Sequence, residues 1–175
     1  MTEEKMNNGK KLDKALYYVC ENLKKSGHNE KPVLLHSFKV SYKLLECGYD
    51  GDVVVSAALH DLIEDTDITY DDILNEYGKK IADIVNAVSF KPDIQDKFLQ
   101  AKEMFQRCKK CGKDALLVKC ADLCDNIDFV SFVSKEDSMK LLKKYTYFLE
   151  TYEKDLSKEK IYKELLKKYK KIIKD

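Results

Sequence analysis

The chain has 175 residues, 44% of them hydrophobic and 36% charged, a balance that suits one globular domain with a substantial core and excludes a disordered chain. Lys+Arg number 32 against 31 Asp+Glu, so the net charge of +1 provides no whole-molecule field toward nucleic acid or an anionic membrane. The opening stretch MTEEKMNNGKKLDKAL lacks the apolar segment of a signal peptide, and no run approaches the roughly 18 apolar residues of a membrane span. A soluble, cytoplasmic protein with no membrane partner is expected, and its six cysteines then read as reduced thiols, several at core-facing positions.

Two prolines, six glycines and apolar residues recurring at three- and four-residue steps make the pattern helical. The spacing predicts a first helix over Lys11–Lys25, with Leu12, Ala15, Leu16, Val19, Cys20 and Leu23 on one stripe and Ser26-Gly27 as its stop. After a polar loop to Lys31, Pro32 opens a second helix that carries Leu35, His36, Val40 and Leu44-Leu45 to a stop near Gly48. A third begins after Asp52 and runs unbroken through VVVSAALHDLIED. Thr69 caps a short helix to Tyr77, with Asp72 three residues on, and Gly78 separates it from the helix KKIADIVNAVSF. A loop around Lys91-Pro92-Asp93 leads to a helix ending near Gly112, and the apolar segment DALLVKCADLCDNIDFV makes a central helix. Two polar-faced helices, Lys135 to Lys154 and Ser157 to Lys174, close the chain. VVVSAAL has the composition of a strand, but its neighbours keep helical spacing and no second strand is available to pair with it. No repeat, linker or low-complexity tract divides the sequence, so residues 1–175 are expected to form one compact all-α domain of about eight to nine helices.

Ionisable residues interrupt this apolar pattern at three places. His36 falls on an apolar helix face, and His60 is followed at once by Asp61. Adjacent helical residues diverge by about 100°, yet both can reach one ion lying near a helix terminus. Glu64 lies four residues after His60 and Asp65 four after Asp61, one turn above them. Asp122 sits among apolar neighbours in LLVKCADLCDNI. Burying so many ionisable groups is costly unless a cation or hydrogen bonds compensate. Singly, each has an ordinary reading: a hydrogen-bonded core histidine, a chance HD dipeptide, a structural carboxylate. Together, on inward-facing positions of three predicted helices, His36, His60, Asp61 and Asp122 read as the ligands of one divalent ion. Two imidazoles and two carboxylates suit Mn²⁺, Fe²⁺, Zn²⁺ or Mg²⁺, and leave positions for water or substrate oxygen.

Other features read more plainly. Arg107 is the only arginine, so a substrate phosphate would be met by lysine ammonium groups and not by bidentate guanidinium. Cys108-x-x-Cys111 invites a zinc site, but Cys120 and Cys124 have helical i,i+4 spacing with Asp122 between them, so the four read as core thiols plus a loop pair. The lysines of KEKIYKELLKKYKKIIKD form a solvated face over a core stripe, and the acidic residues among them argue against nucleic acid.

The pattern H…HD…D, extended as ALHDLIEDTDITYDDI and KCADLCDNI, resembles the HD-domain phosphohydrolases. Within them it is similar to the hydrolase module of RelA/SpoT-type alarmone enzymes and their small stand-alone members. The resemblance runs from Lys24 to Asn126 and more faintly to Tyr147. It implies an all-helical HD-type fold and hydrolysis of the 3′-pyrophosphate of guanosine tetra- or pentaphosphate (ppGpp) with Mn²⁺. By the same resemblance His36, His60, Asp61 and Asp122 hold the metal, and Glu64 and Asp65 orient or deprotonate the attacking water. Lys24, Lys25, Asn126 and Tyr147 would contact the nucleotide. The chain departs from the family pattern at Ser37, where proline is common. It departs again at Leu123 and Asp125, where a basic residue and then an aromatic or histidine often precede the asparagine. A lost base and an added carboxylate predict weaker binding of a polyanion. Two other readings stay open: a phosphohydrolase using the same site on a different nucleotide or phosphorylated cofactor, and a non-catalytic nucleotide-binding regulatory module. The intact Glu64-Asp65 pair argues against the last. A homo-oligomer also stays open.

Overall fold

The computed structural model describes residues 2–27, 32–91 and 93–174, which are helical and contain no strand. The expected loop at 28–31 and Pro92 lie outside the described residues. The order is α1 (Glu3–Ser26), α2 (Val33–Glu46), α3 (Gly51–Leu59), α4 (Leu62–Asp65), α5 (Tyr70–Tyr77), α6 (Lys79–Val88), α7 (Lys97–Cys111) and α8 (Lys113–Asn126). A 3₁₀ segment (Ile127–Phe132), α9 (Lys135–Thr151), α10 (Glu153–Leu156) and α11 (Lys160–Ile172) follow. Eleven α-segments among the described residues exceed the expected eight to nine because α4 and α10 are four-residue turns split from longer predicted helices.

Two helices organise the rest. Every residue of α3 from Val53 to Leu59 and every residue of α8 from Ala115 to Cys124 is buried. A helix apolar on all sides must be surrounded on all sides. Accordingly α3 packs on α1, α2, α6 and α8, while α8 packs on α2, α3, α6, α7 and α11. Because α2, α3 and α8 touch pairwise, side chains near positions 36, 60 and 122 can meet.

Local chemistry sets the ends. The first helix starts at Glu3 and not at Lys11, because Thr2 caps it by accepting the Lys5 amide and Glu3 and Glu4 favour the positive end of its dipole. It stops at Gly27, whose φ of 67° lies in the left-handed region that a C-terminal cap requires. Cys20, expected on the apolar stripe, is exposed: it follows Val19 directly and so points about 100° away from the buried Ala15, Val19 and Leu23. Thr69 and Asp72 form the expected reciprocal cap, with Asp72 Oδ2 accepting the Thr69 amide at 2.8 Å.

The unbroken helix expected through His60-Asp61 is interrupted there. At this break the His60 ring donates from Nδ1 to the Ala57 carbonyl of α3 at 2.8 Å. The central helix likewise ends at Asn126 and tightens into the 3₁₀ segment. Lys168 of α11 donates there to the Cys124 carbonyl at 2.9 Å and to Asp128 at 2.7 Å.

The α8 side of the core includes an aromatic cluster in which Phe148 is fully buried, 5.0 Å between centroids from Phe105 and 5.3 Å from Tyr152. Phe148→Ala should cost about 3–5 kcal/mol in a urea titration. A loss below about 1 kcal/mol would show that the cluster does not support the core as described.

Candidate metal centre

Three helices deliver one polar cluster into this apolar interior. From α2, His36 Nε2 lies 3.1 Å from Asp122 Oδ1 of α8. From the break after α3, His60 Nε2 lies 3.2 Å from His36 Nε2 and 3.7 Å from Asp122 Oδ1. Asp61 approaches the same two nitrogens, at 3.1 Å from His60 and 3.8 Å from His36. One ligand atom from each of His36, His60 and Asp122 falls within 4.8 Å of the others. It is the metal-capable group found among the described residues, and no cysteine belongs to it. Cys108 is instead buried with its thiol on the Ala87 carbonyl, and Cys111 is exposed.

The hydrogen bonds fix what faces the cluster's centre. A carbonyl only accepts, so the Ala57 contact makes His60 Nδ1 the donor and leaves the Nε2 lone pair inward when the ring is neutral. Asp122 Oδ2 is taken by the buried Lys119 ammonium at 2.6 Å, which turns Oδ1 toward the histidines, where the Asn126 amide also donates to it. Two imidazole nitrogens 3.2 Å apart repel if both present lone pairs, so the contact needs either a proton on one of them or a cation between them. Two nitrogens and carboxylate oxygens at this spacing fit a divalent ion.

The matched family completes this picture. The HD domain profile covers residues 15–147 of the chain. The chain belongs to the HD domain family. A guanosine-3′,5′-bis(diphosphate) 3′-pyrophosphohydrolase of Aquifex aeolicus is 32% identical over 128 residues, which are 72% of this chain and 18% of that protein. MESH1 of Drosophila melanogaster, which carries the same activity name, is 32% identical over 104 residues, 56% of this chain and 55% of its own length. The chain thus spans about a fifth of the Aquifex relative and about half of the fly protein. A metazoan ortholog of SpoT that hydrolyzes ppGpp superposes with a TM-score of 0.78 over 92% of this chain and 94% of that one, at 19% identity. A Listeria monocytogenes protein gives 0.69 over 78% and 94%, at 22% identity. These two likenesses establish the fold. HD domain membership implies a divalent metal, and the His/Asp cluster is where this HD domain offers donors for one.

Around the cluster a cleft of about 80 Å³ is lined by Glu64, Phe90, Lys119, Asn126 and Lys144. Glu64 keeps solvent access at the mouth, yet its carboxylate is crowded by protein atoms, and this desolvation raises its pKa despite the opposing Lys119. Its Oε1 accepts the Phe90 amide at 2.7 Å. That amide follows the end of α6, where the sole arginine, Arg107, donates to the Asn86 and Ser89 carbonyls while Glu103 grips its Nε at 2.9 Å. The arginine therefore braces the wall of the cleft. Asp65 is half-buried and does not line the cleft; its amide bonds the Asp61 carbonyl at 2.9 Å. Lys24 and Lys25 are exposed in the last turn of α1 and are not among the cleft residues. Tyr147 stands one layer back, stacked on the cleft residue Phe105 at 6.3 Å, with the Lys102 ammonium 4.9 Å over its ring.

Sequence reasoning left Lys119 and Lys144 without a role. Lys119 carried a signal, since a lysine amid LLVKCADL on a fully apolar helix must find a buried anion. Lys144 carried none, being one of several lysines in KLLKKY. Burial lowers its pKa, and the neighbouring Lys119 adds to the effect.

Desolvation disfavours a charged His36, but Asp122, Asp61 and Asp125 outweigh it and lift the pKa to about 9. His60 is likewise raised by Asp61 and Asp122 against its burial. Burial would raise Asp122, but Lys119 and the two histidines hold it well below the ordinary carboxylate range. The metal-free protein is therefore stabilised below the unfolded imidazole value of about 6.5, and loses that contribution as the pH rises through about 9. Denaturant midpoints of chelator-treated protein should fall across this window. A metal-free midpoint that does not fall would contradict the charged cluster.

Proposed function

We propose that this HD domain is a metal-dependent phosphohydrolase that cleaves the 3′-pyrophosphate of guanosine tetra- or pentaphosphate to release pyrophosphate. The observation that carries the reading is the convergence of His36 Nε2, His60 Nε2 and Asp122 Oδ1 within 4.8 Å, at a cleft that Glu64, Lys119 and Lys144 also line. Its substrate is supported by the activity that the curated relatives are named for. His36, His60, Asp61 and Asp122 are the proposed metal ligands, and Mn²⁺ is the ion suggested by the resemblance and admitted by the mixed nitrogen and oxygen donors.

The bound ion would acidify water and offset phosphoryl charge. The chain's own groups account for the remainder. Water's oxygen bonds to phosphorus as the bond to the 3′-oxygen breaks; the water proton passes to Glu64 and a proton is returned to the departing 3′-oxygen, which leaves as the hydroxyl while pyrophosphate is released. The raised pKa of that carboxylate makes it a stronger base than an ordinary glutamate. Lys119 and Lys144 place ammonium charge beside the pyrophosphate as it departs. Asp65, behind Glu64, would hold the turn that carries it. A second cavity of about 290 Å³ adjoins the cleft and shares His36 and Asn126 with it; Asp125 also lines it, and Pro32, Leu35 and Phe129 supply its apolar lining. A nucleoside fits that character, with Asn126 on the ribose side. Tyr147 would act through Phe105, and Lys24 and Lys25 would meet only an outlying part of the nucleotide.

The direct test is a screen of nucleotides with Mn²⁺ that follows pyrophosphate and orthophosphate separately. Pyrophosphate should appear from ppGpp. Orthophosphate from another nucleotide, with ppGpp untouched, would replace this reading by that of an HD phosphohydrolase of different specificity. No turnover of any nucleotide, with binding retained, would leave the regulatory-module reading.

Proton transfer can be tested separately. Glu64→Gln should keep the metal and lose about 10²–10⁴-fold in turnover, as removal of a general base does. Asp65→Asn should lose less. Wild-type rates in Glu64→Gln would remove Glu64 from the chemistry.

A further inference from the structure

Asp125 entered the sequence analysis as a carboxylate that should repel a polyanion. In the folded chain its Oδ2 lies 2.7 Å from His36 Nδ1. We propose that Asp125 is a positioning residue of the metal centre, holding His36 through Nδ1 so that its Nε2 lone pair is aimed at the ion. The inference rests on the metal-site reading above.

The two histidines solve the same problem differently. A ligating imidazole must present a lone pair at one nitrogen, and the hydrogen bond at the other decides which nitrogen that is. For His60 the orienting group is the Ala57 carbonyl of its own helix, which no side-chain substitution removes. His36 depends on another helix. Asp122 and Asp125 are three residues apart on α8, hence on one face, and they bracket the ring. Asp122 Oδ1 meets Nε2 at 3.1 Å and Asp125 Oδ2 meets Nδ1 at 2.7 Å. A ring flip would put carbon where Asp125 needs a donor, and the other tautomer would set two acceptors face to face. One turn of α8 thus supplies a ligand and also the group that orients a second ligand on α2.

The charge is partly offset from the same side. Lys39, three residues beyond His36 on α2, places its ammonium 3.7 Å from Asp125 Oδ1. With a side chain only 25% exposed, Asp125 is committed to this pairing more than to the open cleft. Its added negative charge is therefore not simply a penalty on an anionic ligand.

The test compares Asp125→Asn with Asp125→Ala by Mn²⁺ titration calorimetry of chelator-treated protein, with thermal unfolding of the metal-free forms alongside. The Asn amide oxygen can still accept from Nδ1–H, so Asp125→Asn should bind within a few-fold of the wild type. Asp125→Ala should lose about 10–100-fold in affinity, the usual cost of removing such a partner. In the Zn²⁺-loaded wild type, ¹⁵N NMR of His36 should show the proton on Nδ1, a readout that needs no variant to fold. Asp125→Asn falling as far as Asp125→Ala would assign the effect to bare charge and overturn the positioning role. Wild-type affinity in Asp125→Ala, or a proton on Nε2, would overturn it as well. Failure of the wild type itself to take an ion would instead bring down the metal-site reading and this inference with it.

Discussion

The structure turns on one buried carboxylate. Asp122 lies within a ten-residue stretch of α8 that is buried from Ala115 to Cys124, where an uncompensated negative charge would cost several kcal/mol even after relaxation. Everything near it answers that cost: Lys119 on one oxygen, His36, His60 and Asn126 on the other. The compensation is mostly cationic. The same demand that lifts the pKa of both imidazoles makes the cluster receptive to a divalent ion.

Packing places these groups and local chemistry orients them. The all-round apolarity of α3 and α8 forces both to the centre, and the neighbours they require bring α2 alongside. Orientation then comes from short-range contacts. His60 uses the carbonyl three residues behind it, and Glu64 uses the amide just past the end of α6. Site and fold are therefore not separable layers, since a proposed ligand sits at the break after α3 and is held by that helix's own backbone.

Much of this was legible beforehand. Three-four spacing and the scarcity of proline and glycine identify an all-helical chain, and the reciprocal cap at Thr69 and Asp72 could be placed to the residue. Charged residues interrupting apolar helices pointed to His36, His60, Asp61 and Asp122, which the fold does bring together. The break at His60 was not legible, because ALHDLIED keeps helical spacing throughout. Nor was the part played by Asp125, whose partner lies 89 residues away on another helix. The nucleotide contacts suggested by resemblance are the least compact group: Asn126 reaches the cluster, Tyr147 stands behind it, and Lys24 and Lys25 lie outside the cleft.

The concentration of function on α8 has a consequence for how such a chain can change. Lys119, Asp122, Asp125 and Asn126 share one face over two turns of a single helix. Inserting or deleting one residue just before Lys119 would rotate all four by about 100° at once and turn them away from His36 and His60. Changes of length would thus have to fall in connections away from the cluster, while α8 can be altered only by substitution. The site behaves as one indivisible unit of sequence, although its partners are scattered along the chain.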